Sequence, residues 1–547
     1  MIRTLITLGL YGFVQQVSSK DVYLDWNITW VTAAPDGYAR PVIGINGHWP
    51  CPQIDVDVGD NLIVDVYNGL GNESTGIHWH GLHQNYNGYM DGVPGVTQCE
   101  LHPNQRMRYI VPINQTGTYW YHSHEPGQYP DGLRGPIIVH DNVPAPYHYD
   151  EEMTLTLSDW YHVQIPVLLD EFIVPSDHAP YGGQEPLPDA VLFNDMHNTK
   201  ISVKPGTTYL IHVVCMGNFP GHALVIDDHD MTIVGMDGIA VEPHFLPPQY
   251  LRVAVGQRVD ILLTTKNDTS KNYAIWDGLD IDEMFVQEGR SPPQGYNPNG
   301  TAWLMYNEDA PLPPPPVIHV NNASLDFLDD VTLTPRDHLP LIDPIQHQFI
   351  FDVYPTTVDG KPAYSINNMT YNAPDSPTLY TAIYSDPEAC MDPDLYGDVN
   401  PFVVNYGDVV EIVLNNHHDN LHPWHLHGHD FQVLQRTYPY GGFFDGYRNV
   451  SATPMRRDTL MVEPLGHFVI RFRAMNPDKL DVSKLTLIGQ LRIWMFHCHI
   501  EWHVEIRLMA IIIEAPDQLQ NMTIPDDHLK ICGNTQPSNW APLAPSP

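Results

Sequence analysis

Val58-Gly59-Asp60 opens the apolar run Asn61–Asn68, and within it Val64-Asp65-Val66 alternates apolar with polar, the period of a half-buried strand. The pattern recurs twice. Pro205-Gly206-Thr207 precedes Tyr209–Val214, and Tyr406-Gly407-Asp408 precedes Val409–Asn416. Ile470-Arg471-Phe472-Arg473 repeats the alternation, and long stretches of helical period are hard to find. The chain of 547 residues agrees with about three domains. Its 43% hydrophobic residues can fill sizeable cores, and 51 prolines with 39 glycines favour turns and strands over long helices. These features predict an all-β protein of three β-sandwiches, at 20–145, 146–310 and 317–547, the last joint being the proline linker Pro311–Pro316.

The first and third units share more than strands. His78-Trp79-His80-Gly81 returns as His425-Leu426-His427-Gly428, and Tyr121-His122-Ser123-His124 returns as Phe496-His497-Cys498-His499. The middle unit has no His-x-His at either place, so the central copy reads as a spacer. A His-x-His pair on a strand points both imidazoles to one face. Four such pairs are too many ligands for one ion, so they imply a cluster where the terminal units meet. Imidazole suits copper, zinc and iron alike. Cys498 decides among them. With His497 and His499 facing the cluster, its thiolate faces the other way, where His422 and His503 are candidate partners. A His2Cys site with a weak axial neighbour is the mark of a blue, electron-transferring copper, and zinc has no redox chemistry.

The formal charge of −39 argues against nucleic acid or an anionic membrane as partner. Arg3 ahead of the apolar Leu5–Val14, with small residues at Val17-Ser18-Ser19, reads as a cleavable leader over 1–19. No later run approaches about 20 apolar residues, so no membrane anchor is expected. Sequons at Asn27, Asn72, Asn114, Asn267, Asn299, Asn322, Asn368, Asn449 and Asn521 agree with a secreted glycoprotein. Six cysteines in such a chain suggest one or two disulfides. The pairs expected are Cys99 with Cys532 and Cys51 with Cys215, leaving Cys390 single and Cys498 for metal.

Together, His78–Gly81, His122–His124, His422–His427 and His497–His503 resemble the four copper signatures of multicopper oxidases, which include laccases and fungal iron-uptake ferroxidases. The resemblance runs nearly the full chain and implies three cupredoxin-like Greek-key domains carrying four copper ions. It implies a type 1 copper held by His422, Cys498 and His503. The type 2 ligands would be His78 and His425. A type 3 pair would take His80, His122, His124, His427, His497 and His499. The axial position falls on Leu508, which cannot coordinate, and Met509 faces the other way. Asp91 and Glu501 match acids that the family uses near the cluster, where reduction of O2 consumes protons, so both are candidate relays. His83, His102 and His429 are read as surface or supporting residues.

For the electron donor the resemblance is closest to the ferroxidase branch, through Ser158–His162, Gly127-Gln128-Tyr129 and Met455–Thr459. Of the three carboxylates that bind Fe2+ there, Glu185 matches the first. The second falls on Val286 and the third on His418, with Asp282, Glu283 and Asp419 close by. These departures, with the absence of an anchor, favour a laccase-like oxidase of phenols, as in pigment or secondary-metabolite assembly, with Glu185 accepting the phenol's proton at the pocket rim. The alternatives are a ferroxidase working with an iron permease, and a copper-binding or electron-carrier protein without turnover. Asp478–Ile493 adds roughly a dozen residues relative to the family. Arg507 stands where the family has glycine.

Overall fold

The computed structural model describes residues 19–532 apart from 85–86, 176–183, 247–249, 281–290, 292, 315–327, 476–492 and 520–521. The leader, Asp282, Glu283, Val286 and nearly all of the stretch from Asp478 lie outside the described residues.

The strands form six sheets, two to a sandwich. The first sandwich pairs the sheet Arg40–Ile45, Asp21–Ala33, Asn61–Asn68, Arg106–Pro112 with the sheet Ile54–Asp57, Arg134–His140, Gly117–Ser123, Ile77–His80. The middle and third sandwiches each pair a six-stranded with a five-stranded sheet in one and the same strand order. In the third, Val409–Asn416 runs parallel to His347–Val358 and antiparallel to His467–Arg473. Strands that are far apart in sequence thus lie side by side, as Greek-key connections require. Flanked on both edges and covered on both faces, Val409–Asn416 is buried along its whole length. The repeated turn signals do what their glycines permit: Gly59, Gly206 and Gly407 all take positive φ (98°, 65° and 82°).

Each sandwich has an apolar core, and that of the third, from Phe351 and Ile412 to Trp502 and Leu508, continues into the middle sandwich through Tyr161, Val191 and Phe219. The helix Asp526–Ile531 returns to the first sandwich, where Ile531 joins that core. There Cys99 and Cys532 form the expected disulfide across 433 residues of chain.

The second expected disulfide is not formed. Cys51 and Cys215 are separate buried thiols. Cys51 lies in the first core, its Sγ 3.3 Å from the Gly132 carbonyl oxygen, whereas Cys215 ends a strand in the middle core. Two different cores hold them apart. No helix among the described residues is long and apolar enough to cross a membrane.

Candidate metal centre

The strand Ile493–Cys498 lies between Met509–Glu514 and His422–Leu426, in a register that sets Trp424 opposite Cys498 and His425 opposite His497. The first sandwich repeats it, with Ile77 opposite Ser123 and His78 opposite His122. Alternation along these strands puts the His-x-His imidazoles on one face and Cys498 on the other.

Where the two sandwiches meet, the imidazoles gather in three groups: His80, His122 and His499; His124, His427 and His497; and His78, His80 and His425. Within each group the ring nitrogens lie within 4.8 Å of one another. Every group draws on both sandwiches. Hydrogen bonds set the tautomers. Nδ1–H of His78 donates to the Asp91 carbonyl oxygen (2.9 Å), that of His122 to Ser123 O (2.9 Å), that of His425 to Asp458 O (2.9 Å) and that of His497 to Cys498 O (2.8 Å). His427 donates to the Asp91 carboxylate at 2.9 Å. Each bond leaves Nε2 as the lone-pair nitrogen, the arrangement found in metal-bound histidines.

Burial, and then repulsion among the rings, holds His80, His122, His427, His497 and His499 well below the usual imidazole range, so these rings stay neutral and able to ligate. Nε2 of His78, His122, His124 and His425 is buried without a hydrogen-bond partner, and Nε2 of His427 lies 3.1 Å from Nε2 of His497. Buried unsatisfied lone pairs are costly unless a cation takes them. The residues therefore fit a cluster of copper ions.

On the other face of the strand, Cys498 Sγ lies 3.6 Å from His422 Nδ1 and 3.4 Å from His503 Nδ1, and those nitrogens are 3.0 Å apart. One sulfur and two nitrogens in a buried triangle fit a single blue copper. The short helix Glu501–Glu505 carries His503. Leu508, fully buried, accepts from Cys498 N–H (3.1 Å) and shares its core, whereas Met509 packs in a different cluster. The first sandwich fills the same register with Thr75, Ser123 and Gln128, hydrogen-bonded through Gln128 Oε1 (2.9 and 2.8 Å). The middle one sets a His222–Asp277 pair there (2.6 Å). At these positions, among the described residues, the third sandwich alone carries a sulfur, that of Cys498.

Two polar side chains cap the outer edges of this triangle. Glu185 accepts from His503 Nε2 (2.9 Å), and His418 Nδ1 meets His422 Nε2 (3.2 Å) and the Tyr364 hydroxyl (3.1 Å). Glu185 is 5% exposed and so is built into the site, more deeply than a rim acid. His418 is half-buried, and burial followed by the nearby His503 brings it down to about 4. Asp91 is fully buried, with Oδ1 3.2 Å from His78 Nδ1 and Oδ2 on His427, so it orients one ring from the first sandwich and one from the third. Glu501 accepts from Gly127 N–H, and burial pushes its carboxyl up to about 8. His429 meets Glu514 at 3.0 Å and His83 meets Asp430 at 3.0 Å, and His102 lies exposed beside Glu100.

The middle sandwich is more than a spacer. A Cβ on Gly256 would stand 3.0 Å from His499 and 3.2 Å from His80, so its backbone walls the cluster. Asp458, which sequence reasoning passed over, sets its carboxylate 3.4 Å from His80 Nε2 and 3.6 Å from His425 Nδ1. Nothing local in Arg457-Asp458-Thr459 signals this, since His80 lies in another sandwich.

Multicopper oxidase family profiles match residues 27–144, 151–309 and 371–518. The iron transport multicopper oxidase fetC of Epichloe festucae is 40% identical over 96% of this chain and 82% of its own. The iron transport multicopper oxidase FET3 of Gibberella zeae is 41% identical over 93% and 78%. Among solved structures, Fet3p, a multicopper oxidase that functions in iron import, superposes with a TM-score of 0.86 at 37% identity, over 94% of each chain. The laccase of Botrytis aclada superposes at 0.79 and 25% identity, over 95% and 92%. Site chemistry, profiles and relatives agree: this chain belongs to the multicopper oxidase family and is an oxidoreductase that uses O2.

Proposed function

We propose that this protein is a secreted ferroxidase, oxidising Fe2+ to Fe3+ and passing the electrons to O2. In this reading His422, Cys498 and His503 hold the type 1 copper, with Leu508 as its non-coordinating axial neighbour. His78 and His425 hold type 2. His80, His122 and His499 hold one type 3 ion, and His124, His427 and His497 the other. The sandwiches are taken as 20–145, 146–310 and 317–547. The leader over 1–19 and the sequons support secretion, and an iron permease is the expected partner that takes up Fe3+.

Bound copper supplies one-electron acceptance at the sulfur site and four-electron delivery to O2 at the cluster, and four Fe2+ with four protons balance one O2 reduced to two waters. The chain's residues provide the route. One observation carries the proposal: the buried Glu185 carboxylate lies 2.9 Å from His503 Nε2. A hard cation seated on that carboxylate is one hydrogen bond and one imidazole from the Cys498 sulfur. Peptide bonds then lead from Cys498 to His497 and His499, whose rings face the cluster. Glu501 lines a small cavity with His122, His124, His497 and His499, a position from which its carboxyl can hand protons inward. A bound cation opposes the upward shift of that acid.

The donor inferred from sequence alone was a phenol, because two expected carboxylates are replaced. The iron-transport names of the relatives and the higher likeness to Fet3p than to a laccase favour iron instead. The two readings separate on initial rates of O2 uptake by copper-loaded protein with Fe2+ and with a simple diphenol. Fe2+ is expected to be the better donor, and Glu185→Ala is expected to cost it at least about tenfold in kcat/KM, the loss of one charge-assisted contact. A diphenol rate above the Fe2+ rate would return the protein to the phenol oxidases. Low copper content with no O2 uptake would mark a copper-binding protein without turnover.

A further inference from the structure

Three sandwiches meet beside the cluster at a single point. Gly81, directly after the ligand His80, has φ +86°, and a Cβ there would stand 2.5 Å from an Arg258 guanidinium nitrogen and 2.9 Å from Asp458 Oδ2. Gly81 belongs to the first sandwich, Arg258 to the middle and Asp458 to the third. A side chain at 81 would occupy the space in which the other two meet, so the glycine of His78-Trp79-His80-Gly81 is required by a contact that it does not itself make.

That contact is a fully buried, two-pronged ion pair. Arg258 Nη1 donates to Asp458 Oδ1 (2.8 Å) and Nη2 to Oδ2 (2.5 Å). The rest of the guanidinium is anchored on both sides. Nε donates to the carbonyl oxygen of Thr118 (3.0 Å), on the strand that carries His122, and Nη1 also donates to Gly256 O (3.0 Å), at the turn that walls His80 and His499. Behind it, Asp237 lies 3.6 Å from Arg258 and 2.7 Å from Arg457, the residue before Asp458. Arg258 and Asp458 are no more than 1% exposed, so the pair has no water to substitute for a lost partner.

Asp458 touches two cluster ligands. Its backbone oxygen accepts from His425 Nδ1–H (2.9 Å), and its Oδ1 lies 3.4 Å from His80 Nε2. Thr459, which donates to Asp458 Oδ1 (2.8 Å), has its hydroxyl within 3.3 Å of the same two rings. The direction in which Asp458 points therefore sets the orientation of one ring from the first sandwich and one from the third.

We propose that Arg258, on a sandwich without copper ligands, is a positioning residue for the cluster: it orients Asp458 and through it His425 and His80. The planar fork is what this needs, since a lysine in its place could hold one carboxylate oxygen but not both. Changes in partners that orient ligands weaken metal binding by about 10- to 100-fold, and the effect belongs at the type 2 position, which His425 serves. The inference rests on the ligand assignment proposed above.

The test compares purified full-length Arg258→Lys, Asp458→Asn and His425→Gln with the parent. It reads copper per chain, blue absorption and the type 2 EPR signal during titration with a copper chelator. His425→Gln should lose the type 2 signal, and if it does not, the ligand assignment falls and this inference with it. Arg258→Lys and Asp458→Asn should keep the blue absorption, which reports a folded third sandwich, while losing type 2 copper at chelator concentrations about 10-fold lower. Type 2 hyperfine splitting and copper retention equal to the parent in either variant, alongside a loss in His425→Gln, would refute the role given to Arg258. Should Arg258→Lys fail to accumulate, Asp458→Asn, of the same shape as the parent, decides the matter alone.

Discussion

Leu508 packs in the core beside Cys498 and offers no donor atom, so a copper there would be held by Cys498, His422 and His503 alone. Leu508→Met would offer a thioether along the axis and is expected to lower the type 1 reduction potential relative to the parent. Redox titration of the blue absorption checks this, and an unchanged or raised potential would show that the side chain does not reach the metal. Its neighbour Arg507 sits at φ +76°, with its guanidinium on Asn372 Oδ1 at 3.1 Å. A left-handed backbone at a non-glycine residue costs roughly 1–2 kcal/mol, more than one exposed hydrogen bond returns. Arg507→Gly should therefore raise Tm by a degree or more (about 1 °C at least) with copper loading intact or improved. A drop in blue absorption would mean that the arginine supports the site. At this scale the sequence was informative about which side chains gather, because a strand's period-two alternation ties His497 and His499 to one face and Cys498 to the other before any coordinate is known. It was silent about Glu185's burial and about Asp458. Their partners, His503, Arg258 and His80, lie hundreds of residues away or in another sandwich, and no local pattern encodes such pairs.

Between elements, the first and middle sandwiches are joined by a titratable contact. His212, on the strand Thr208–Cys215, has Nδ1 2.8 Å from Asp260 Oδ1 and 2.8 Å from the Thr118 hydroxyl of the first sandwich. Burial works against its charge, but Asp260 and Glu152 outweigh that and push the imidazole up to about 9. A raised folded value contributes stability that is complete below the unfolded pKa, about 6.5, and is lost as pH rises through about 9. Tm should therefore fall between pH 7 and 9.5 more steeply in the parent than in His212→Gln, and parallel curves would contradict the assignment. The strands themselves were legible. Turn glycines at 59, 206 and 407 and the apolar runs after them mark the same strand in each sandwich. The contacts between sandwiches were not, and for that reason the middle copy looked like a spacer until Gly256 was seen against the cluster, with Arg258 on Asp458 and Asp237 behind it. The same blindness produced the pairing of Cys51 with Cys215, since a count of cysteines carries no information about which core each one occupies.

Across the whole molecule, the cluster exists only where the first and third sandwiches touch, and its integrity depends on that docking. Replacing both members of the Cys99–Cys532 disulfide by serine should cost about 2–5 kcal/mol. Copper should leave the interface before it leaves Cys498, whose ligands all lie in one sandwich. Cluster copper that outlasts the blue absorption during chelation would show that docking holds without the bridge. The bridge has a topological consequence as well. With residue 99 bonded to residue 532, the stretch between them is a closed loop, and the middle sandwich lies inside it. A single protease cut in that sandwich opens the loop but frees neither end. The two metal-bearing lobes stay one molecule on a non-reducing gel and part only when a thiol reductant is added.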